Sequence, residues 1–234
     1  MTKISLILLP GLDGTGLMFE PFVAALGDEF DVKVVTYPAS QSLGYAELEI
    51  IAREALPKEG PYVILGESFS GPIAISLAAS ASTQLVGLIL CCTFVRNPRP
   101  IFTHFGPLVD LLPFKLVPTS VIAHFIFGRF STDYLRVLLA RTLAQVSLSV
   151  LRRRLKEVIM VNVSTKLEAV SAPVLYLRAR HDCLVPSDAS TIVTQLSPHA
   201  QVVEIDGPHC LLQVAPAEAA QVIAAFLRER QSAD

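Results

Sequence analysis

The sequence predicts an α/β fold: a mostly parallel sheet of about six strands with helices on both faces. Three observations predict it. Short apolar segments alternate with segments of helical period along all 234 residues. Those short segments are apolar throughout instead of alternating apolar and polar, as strands covered on both faces must be. Hydrophobic residues make up 52% of the chain and charged ones 17%, enough apolar material for one large core in a chain of single-domain length.

Residues 3–9 (Lys-Ile-Ser-Leu-Ile-Leu-Leu) read as the first strand, closed by Pro10-Gly11. A glycine-rich loop follows, with Gly11, Gly14 and Gly16, and then a helix over 17–26. A second strand spans 31–37 and ends at Pro38, and a helix over 44–56 carries Leu48, Ile51 and Ala55 at helical spacing. The third strand, 62–66, runs into Gly66-Glu67-Ser68-Phe69-Ser70-Gly71, and a helix over 72–79 starts with Pro72 in its first turn. Further strands are predicted at 85–92, 174–177 and 201–205. A helix over 188–196 carries Asp188 as its expected N-cap, and a final helix begins near Pro216 with Val222, Ile223, Phe226 and Leu227 inward.

One section breaks the alternation. Residues 95–168 offer no good strand and several helix-like pieces punctuated by Pro98, Pro100, Pro107, Pro113 and Pro118. Leu148, Leu151, Leu155 and Val158/Ile159 form an apolar stripe, with Arg152, Arg153 and Lys156 off it. The expectation is a helical insertion at 95–168 into a core made of 1–94 and 169–234. Seven of the twelve Phe residues fall between Phe94 and Phe130, which suits an apolar cover over a cleft as well as plain packing on the sheet.

Composition narrows the function classes. A net charge of −2 gives no electrostatic reason to expect nucleic acid, and the Arg152-Arg153-Arg154 run is expected to lie on a solvated helix face. Cys91, Cys92, Cys183 and Cys210 lack metal-ligand spacing and disulfide density, so buried thiols are expected. The opening apolar run stops at Pro10, short of a signal-peptide core, and no run reaches the ~18–20 residues of a membrane span. A cytoplasmic chain with no cofactor, metal or nucleic-acid partner is expected.

The chemistry centres on Ser68. Strand, tight turn and helix make a small-x-Ser-x-small segment a nucleophile elbow, although an ordinary Gly/Ser turn gives the same pattern. A Ser nucleophile needs a base near neutrality, which points to His. His104 and His124 fall in the insertion, and His199 follows Pro198 in a polar turn. Of His181 and His209, the latter directly follows the last strand, at the end where open parallel sheets place their sites. A carboxylate must then orient the imidazole. Asp182, just past the strand at 174–177, is preferred over Asp188 and Asp206, the latter expected to shape its own turn. Backbone N–H donors for an oxyanion are expected from Phe69, after the nucleophile, and from Leu12 in the first loop. A phosphate-binding turn is the competing reading of that loop, but G-x-x-G-x-G has the wrong spacing for it.

With these residues assembled, the sequence resembles the α/β-hydrolase family along nearly its whole length. The resemblance rests on Leu9-Pro10-Gly11-Leu12-Asp13-Gly14, on Gly66-Glu67-Ser68-Phe69-Ser70-Gly71, on Asp182-Cys183-Leu184-Val185-Pro186 and on Gly207-Pro208-His209, in the family's Ser, Asp, His order. The insertion resembles the family's helical cap. Ser70 stands where the family usually has Gly, and Pro10-Gly11 where it often has His-Gly. The chain starts at the third strand of the family's eight, which implies a compact sheet. The resemblance implies a carboxylic-ester hydrolase for small to medium apolar acyl groups. Acyl transfer, thioester hydrolysis and a non-catalytic ligand sensor are the alternatives on the same fold.

Overall fold

The computed structural model describes residues 3–81, 83–101 and 117–231. Six strands form one sheet: β1 (Ser5–Leu9), β2 (Asp31–Val34), β3 (Tyr62–Glu67), β4 (Leu85–Cys91), β5 (Val174–His181) and β6 (Gln201–Pro208). They are ordered β2-β1-β3-β4-β5-β6, and every neighbouring pair is parallel. The strand reversal falls between β1 and β3, so the loops leaving those two strands face each other at the C-terminal edge, where ligand sites form in open sheets.

Period-two alternation in β1 and β3 divides the core between the faces. Leu6, Leu8, Val63 and Leu65 enter one cluster with Phe19, Phe22, Ile223 and Phe226. These belong to the helical segment ending in α1 (Glu20–Leu26) and to the C-terminal helix (Pro216–Gln231). Ile7, Leu9 and Ile64 enter the other cluster with Leu48, Ile73, Leu77 and Val193. Those come from α2 (Tyr45–Glu54), α3 (Gly71–Ala79) and α8 (Asp188–Leu196). Every residue of β3 is buried, which is why its predicted span, residues 62–66, reads as an unbroken apolar run.

Between β4 and β5 lie α4 (Thr119–Phe127), α5 (Asp133–Leu143), α6 (Leu148–Met160) and α7 (Ser164–Glu168). Backbone bonds fasten this section to the core, Ser147 N–H to Ala39 O at 2.9 Å and Cys210 N–H to Ile126 O at 3.2 Å, and Val163 N–H to Val95 O at 2.9 Å ties its two ends to each other. Phe102, Phe105, Phe114 and His104 lie outside the described residues.

Several expectations are corrected. The fully buried residues of α6 are Val150 and Arg154, one turn apart, while Leu148, Leu151, Leu155, Val158 and Ile159 of the predicted stripe are half-buried, Val158 packing against the core. Arg154 is fully buried and so departs from the expected solvated face, while Arg153 is exposed and Arg152 half-buried. Cys183 is exposed and Cys210 half-buried, while Cys91 and Cys92 are buried as expected. Ser187, not Asp188, occupies the N-cap of α8, and Asp188 sits in the first turn. Strands β5 and β6 run past their predicted ends at Leu177 and Ile205. No single helix among the described residues is long and apolar enough to cross a membrane.

Candidate active site

Ser68 sits directly after β3 with φ of 49°, a left-handed conformation that costs a non-glycine residue ~1–3 kcal/mol. The turn is enforced by crowding. A Cβ on Gly66 would lie 2.7 Å from Ala74 Cβ and 2.8 Å from Ser70 O, and one on Gly71 would collide with the Thr93 side chain. Gly66→Ala is therefore expected to lower unfolding free energy by about 1–3 kcal/mol, the usual range for an overpacked methyl, as read by urea denaturation. A stability equal to wild type would mean the elbow has room that these contacts deny.

Ser70 is more than a small residue in place of Gly. It is fully buried, and its hydroxyl donates to Pro10 O at short range. That leaves its oxygen to accept from the Tyr37 hydroxyl at 3.1 Å. Burial pushes the Tyr37 phenol up, so it keeps its proton. The replacement thus ties the elbow to the first loop.

The predicted Ser, His and Asp form one contact chain from three strand ends. Ser68 Oγ lies 2.8 Å from His209 Nε2, and His209 Nδ1 lies 2.9 Å from Asp182 Oδ2. Asp182 Oδ1 accepts the Leu184 N–H at 2.8 Å and the Val185 N–H at 2.9 Å, which fixes the carboxylate plane. With a carboxylate against Nδ1, the proton resides there and leaves the Nε2 lone pair facing the Ser68 hydroxyl. Burial, the largest influence, pulls the His209 pKa down, but the charge and hydrogen bond of Asp182, with a contribution from Glu67, raise it above its ordinary value of 6.5.

The other candidates go elsewhere. Asp206 pairs with His181 Nε2 at 3.0 Å on the surface instead of shaping only its own turn. Among the described residues, His124 and His199 are exposed. No group of three or more His, Cys, Asp or Glu side chains among the described residues is placed to hold a metal ion.

The peptide planes of the two predicted N–H donors are fixed through their carbonyls. Gly11 O accepts the Gly14 N–H at 3.0 Å, so the Leu12 N–H of the same trans peptide points the opposite way. Ser68 O accepts the Thr93 hydroxyl at short range, which aims the Phe69 N–H in the same manner. Thr93 is itself held by the Tyr176 hydroxyl, which donates to Thr93 O at 2.6 Å. The sequence reading gave Thr93 no role; its place just past β4, at the same sheet edge, was the available signal.

Glu67 was also missed. Its carboxyl is buried beside the site and accepts from Gln213 Nε2 at 3.0 Å. Burial pushes it up to about 7, against the opposing pull of Gln213 and His209, with Asp13 adding to the rise. The signal was an acid continuing a strand whose every other residue is apolar. Its linkage sign follows. Between an unfolded value of 4.5 and a folded value of about 7 the native state holds a proton that the unfolded chain releases. Stability from this group therefore falls as pH rises through that window, by roughly 2–3 kcal/mol between pH 5 and 8. Glu67→Gln is expected to remove that slope; urea unfolding at both pH values reads it, and an unchanged slope would mean Glu67 ionises normally.

The alpha/beta hydrolase family profile matches residues 6–222. The chain belongs to the alpha/beta hydrolase family. It is 32% identical over 124 residues to phytyl ester synthase 1, chloroplastic, of Arabidopsis thaliana, an overlap of 50% of this chain and 17% of that protein. The chain thus spans under a fifth of that relative's length. Among solved structures, a hydrolase from Oleispira antarctica superposes with a TM-score of 0.81 at 16% identity, covering 97% of this chain and 92% of that one. A thermophilic esterase from Thermogutta terrifontis superposes at 0.79 with 22% identity, covering 98% and 91%. At such identities these two likenesses speak to fold alone.

Proposed function

We propose that this alpha/beta hydrolase is a serine carboxylic-ester hydrolase acting on small to medium apolar acyl groups. Ser68 Oγ attacks the ester carbonyl while His209 Nε2 takes its proton. The Leu12 and Phe69 N–H groups hold the resulting oxyanion. His209 then returns the proton to the leaving alcohol, Asp182 stabilises the imidazolium, and water activated by His209 hydrolyses the acyl-enzyme. The observation that carries this reading is the contact chain Ser68–His209–Asp182, with steps of 2.8 and 2.9 Å at the ends of three parallel strands. The Phe-rich insertion and the low net charge support an uncharged, apolar acyl group.

Acyl transfer to an alcohol is the second reading, favoured by the likeness to a phytyl ester synthase over half the chain. p-Nitrophenyl esters of graded acyl length, assayed with and without a long-chain alcohol, separate the two. Free acid as the main product supports hydrolysis, and ester formation at the expense of acid supports transfer. No turnover of any chain length between pH 5 and 10, with or without the alcohol, would overturn both.

A further inference from the structure

Arg154 is the largest fully buried side chain among the described residues, and it comes from α6, outside the sheet core. Its guanidinium donates to Leu12 O at 2.9 Å, Asp13 O at 2.7 Å and Pro38 O at 3.2 Å. Among the described residues these partners are all neutral carbonyls. Burying a cation without a hydrogen-bonded carboxylate is costly, and a Met of similar reach would fill the space at less desolvation cost. What Met cannot do is hold three carbonyls at fixed points, which the planar guanidinium fork does. Two of those carbonyls belong to the loop that presents the Leu12 N–H. The loop is shaped to receive the fork: Gly14 has φ of +72°, and a Cβ there would lie 2.4 Å from Arg154 Nη1.

The same helix reaches the second donor. One turn on from Arg153, Glu157 accepts the Tyr45 N–H at 3.0 Å. The Tyr45 ring stacks on Phe69 with centroids 4.7 Å apart, and its hydroxyl donates to Phe69 O at 3.0 Å. Gly44 again leaves the space, since a Cβ there would meet Glu157 at 2.9 Å and Arg153 at 2.7 Å.

We propose that α6 sets the geometry of both oxyanion donors. Arg154 is the positioning residue for the loop that carries the Leu12 N–H, and Glu157 acts through Tyr45 on Phe69, holding its ring and the carbonyl of the peptide that follows the donor N–H. The inference rests on the serine-hydrolase reading and deepens it. It makes the insertion part of the oxyanion machinery as well as a cover. Any displacement of α6 would loosen the hole that stabilises the transition state while leaving the Ser68–His209–Asp182 chain intact.

The test separates ground-state binding from transition-state binding. Arg154→Lys keeps charge and stem but has a single ammonium where three carbonyls are bridged. It is expected to lower kcat about 10²-fold, the scale of a misplaced reacting group, with KM within about twofold. Affinity for a trifluoromethyl ketone, whose adduct with Ser68 places an oxyanion in the hole, is expected to fall by the same factor. Tyr45→Phe removes one hydroxyl, leaves Arg154 in place, and is expected to cost about tenfold in kcat and in ketone affinity. It carries the test if Arg154→Lys does not fold. A folded variant with wild-type kcat and wild-type ketone affinity, or one that changes only KM, overturns the inference. A wild-type chain that neither hydrolyses esters nor binds the ketone overturns the reading of Ser68 itself, and the inference falls with it. The wild-type control thus tells the two failures apart.

Discussion

Ser68→Ala is expected to lower kcat by a factor on the order of 10⁶ while leaving the thermal unfolding midpoint nearly unchanged. The two halves of that expectation come from different parts of the site. The loss reflects replacement of covalent attack by unassisted attack of water, roughly 8 kcal/mol of barrier. What remains above the uncatalysed rate, ~10³–10⁴, would come from the Leu12 and Phe69 N–H groups and from substrate binding. Stability is spared because the φ of 49° is imposed by the packing around Gly66 and Gly71, and Ala meets the same backbone cost as Ser. The lost hydrogen bond to His209 is a small term beside the bonds the ring keeps to Asp182. Initial rates with a p-nitrophenyl ester, alongside thermal melts of both proteins, check this. If Ser68→Ala keeps more than a hundredth of wild-type kcat, the reaction does not pass through an acyl-Ser68.

The sequence exposed the sheet core and the Ser–His–Asp set for one physical reason. Parallel strands buried on both faces leave an apolar run, and each run ends where polar residues can gather. β3, with every residue buried, is the clearest case, and Ser68 follows it. The same criterion truncated β5 and β6. The edge strand β6 is half-exposed, and the added length carries Arg178, Arg180 and His181 in β5 and Asp206 in β6 in place of apolar residues. Cross-strand pairs at 2.7 and 2.9 Å between those arginines and Glu204 help hold that part of the ladder. α6 failed differently. A period read from residue type ranks Leu above Arg, yet Arg154 is fully buried while the stripe leucines are half-buried, because what it meets is a loop of carbonyls that no apolar residue could satisfy. Glu67 and Ser70 flank the predicted nucleophile. Their partners, Gln213, Pro10 and Tyr37, are brought to them by the fold, so spacing alone could not supply them.

Asp182→Asn is expected to lower kcat by ~10⁴, with Asp206→Asn within about twofold of wild type. The contrast tests which acid serves His209. Asp182 has a side chain 6% exposed against His209, and Asp206 one 48% exposed against His181. In Asp182→Asn the amide oxygen can stay with the Leu184 and Val185 N–H groups, so the turn keeps its shape and the NH₂ faces Nδ1. A donor there forces Nδ1 to accept, which moves the ring proton to Nε2, where it blocks transfer from Ser68. The pH profile gives a second, independent reading. Only neutral His209 can act as base, so kcat/KM rises with pH through its titration. Because Asp182 raises that pKa against the opposing effect of burial, the acid limb of wild type is expected above 6.5. Any residual activity of Asp182→Asn should show the limb displaced to lower pH, since the neutral form is no longer disfavoured by a carboxylate at 2.9 Å. Should Asp206→Asn be the damaging change, or the acid limb stay fixed in Asp182→Asn, the bond between Asp182 and His209 would be structural and the orienting acid would have to be sought elsewhere.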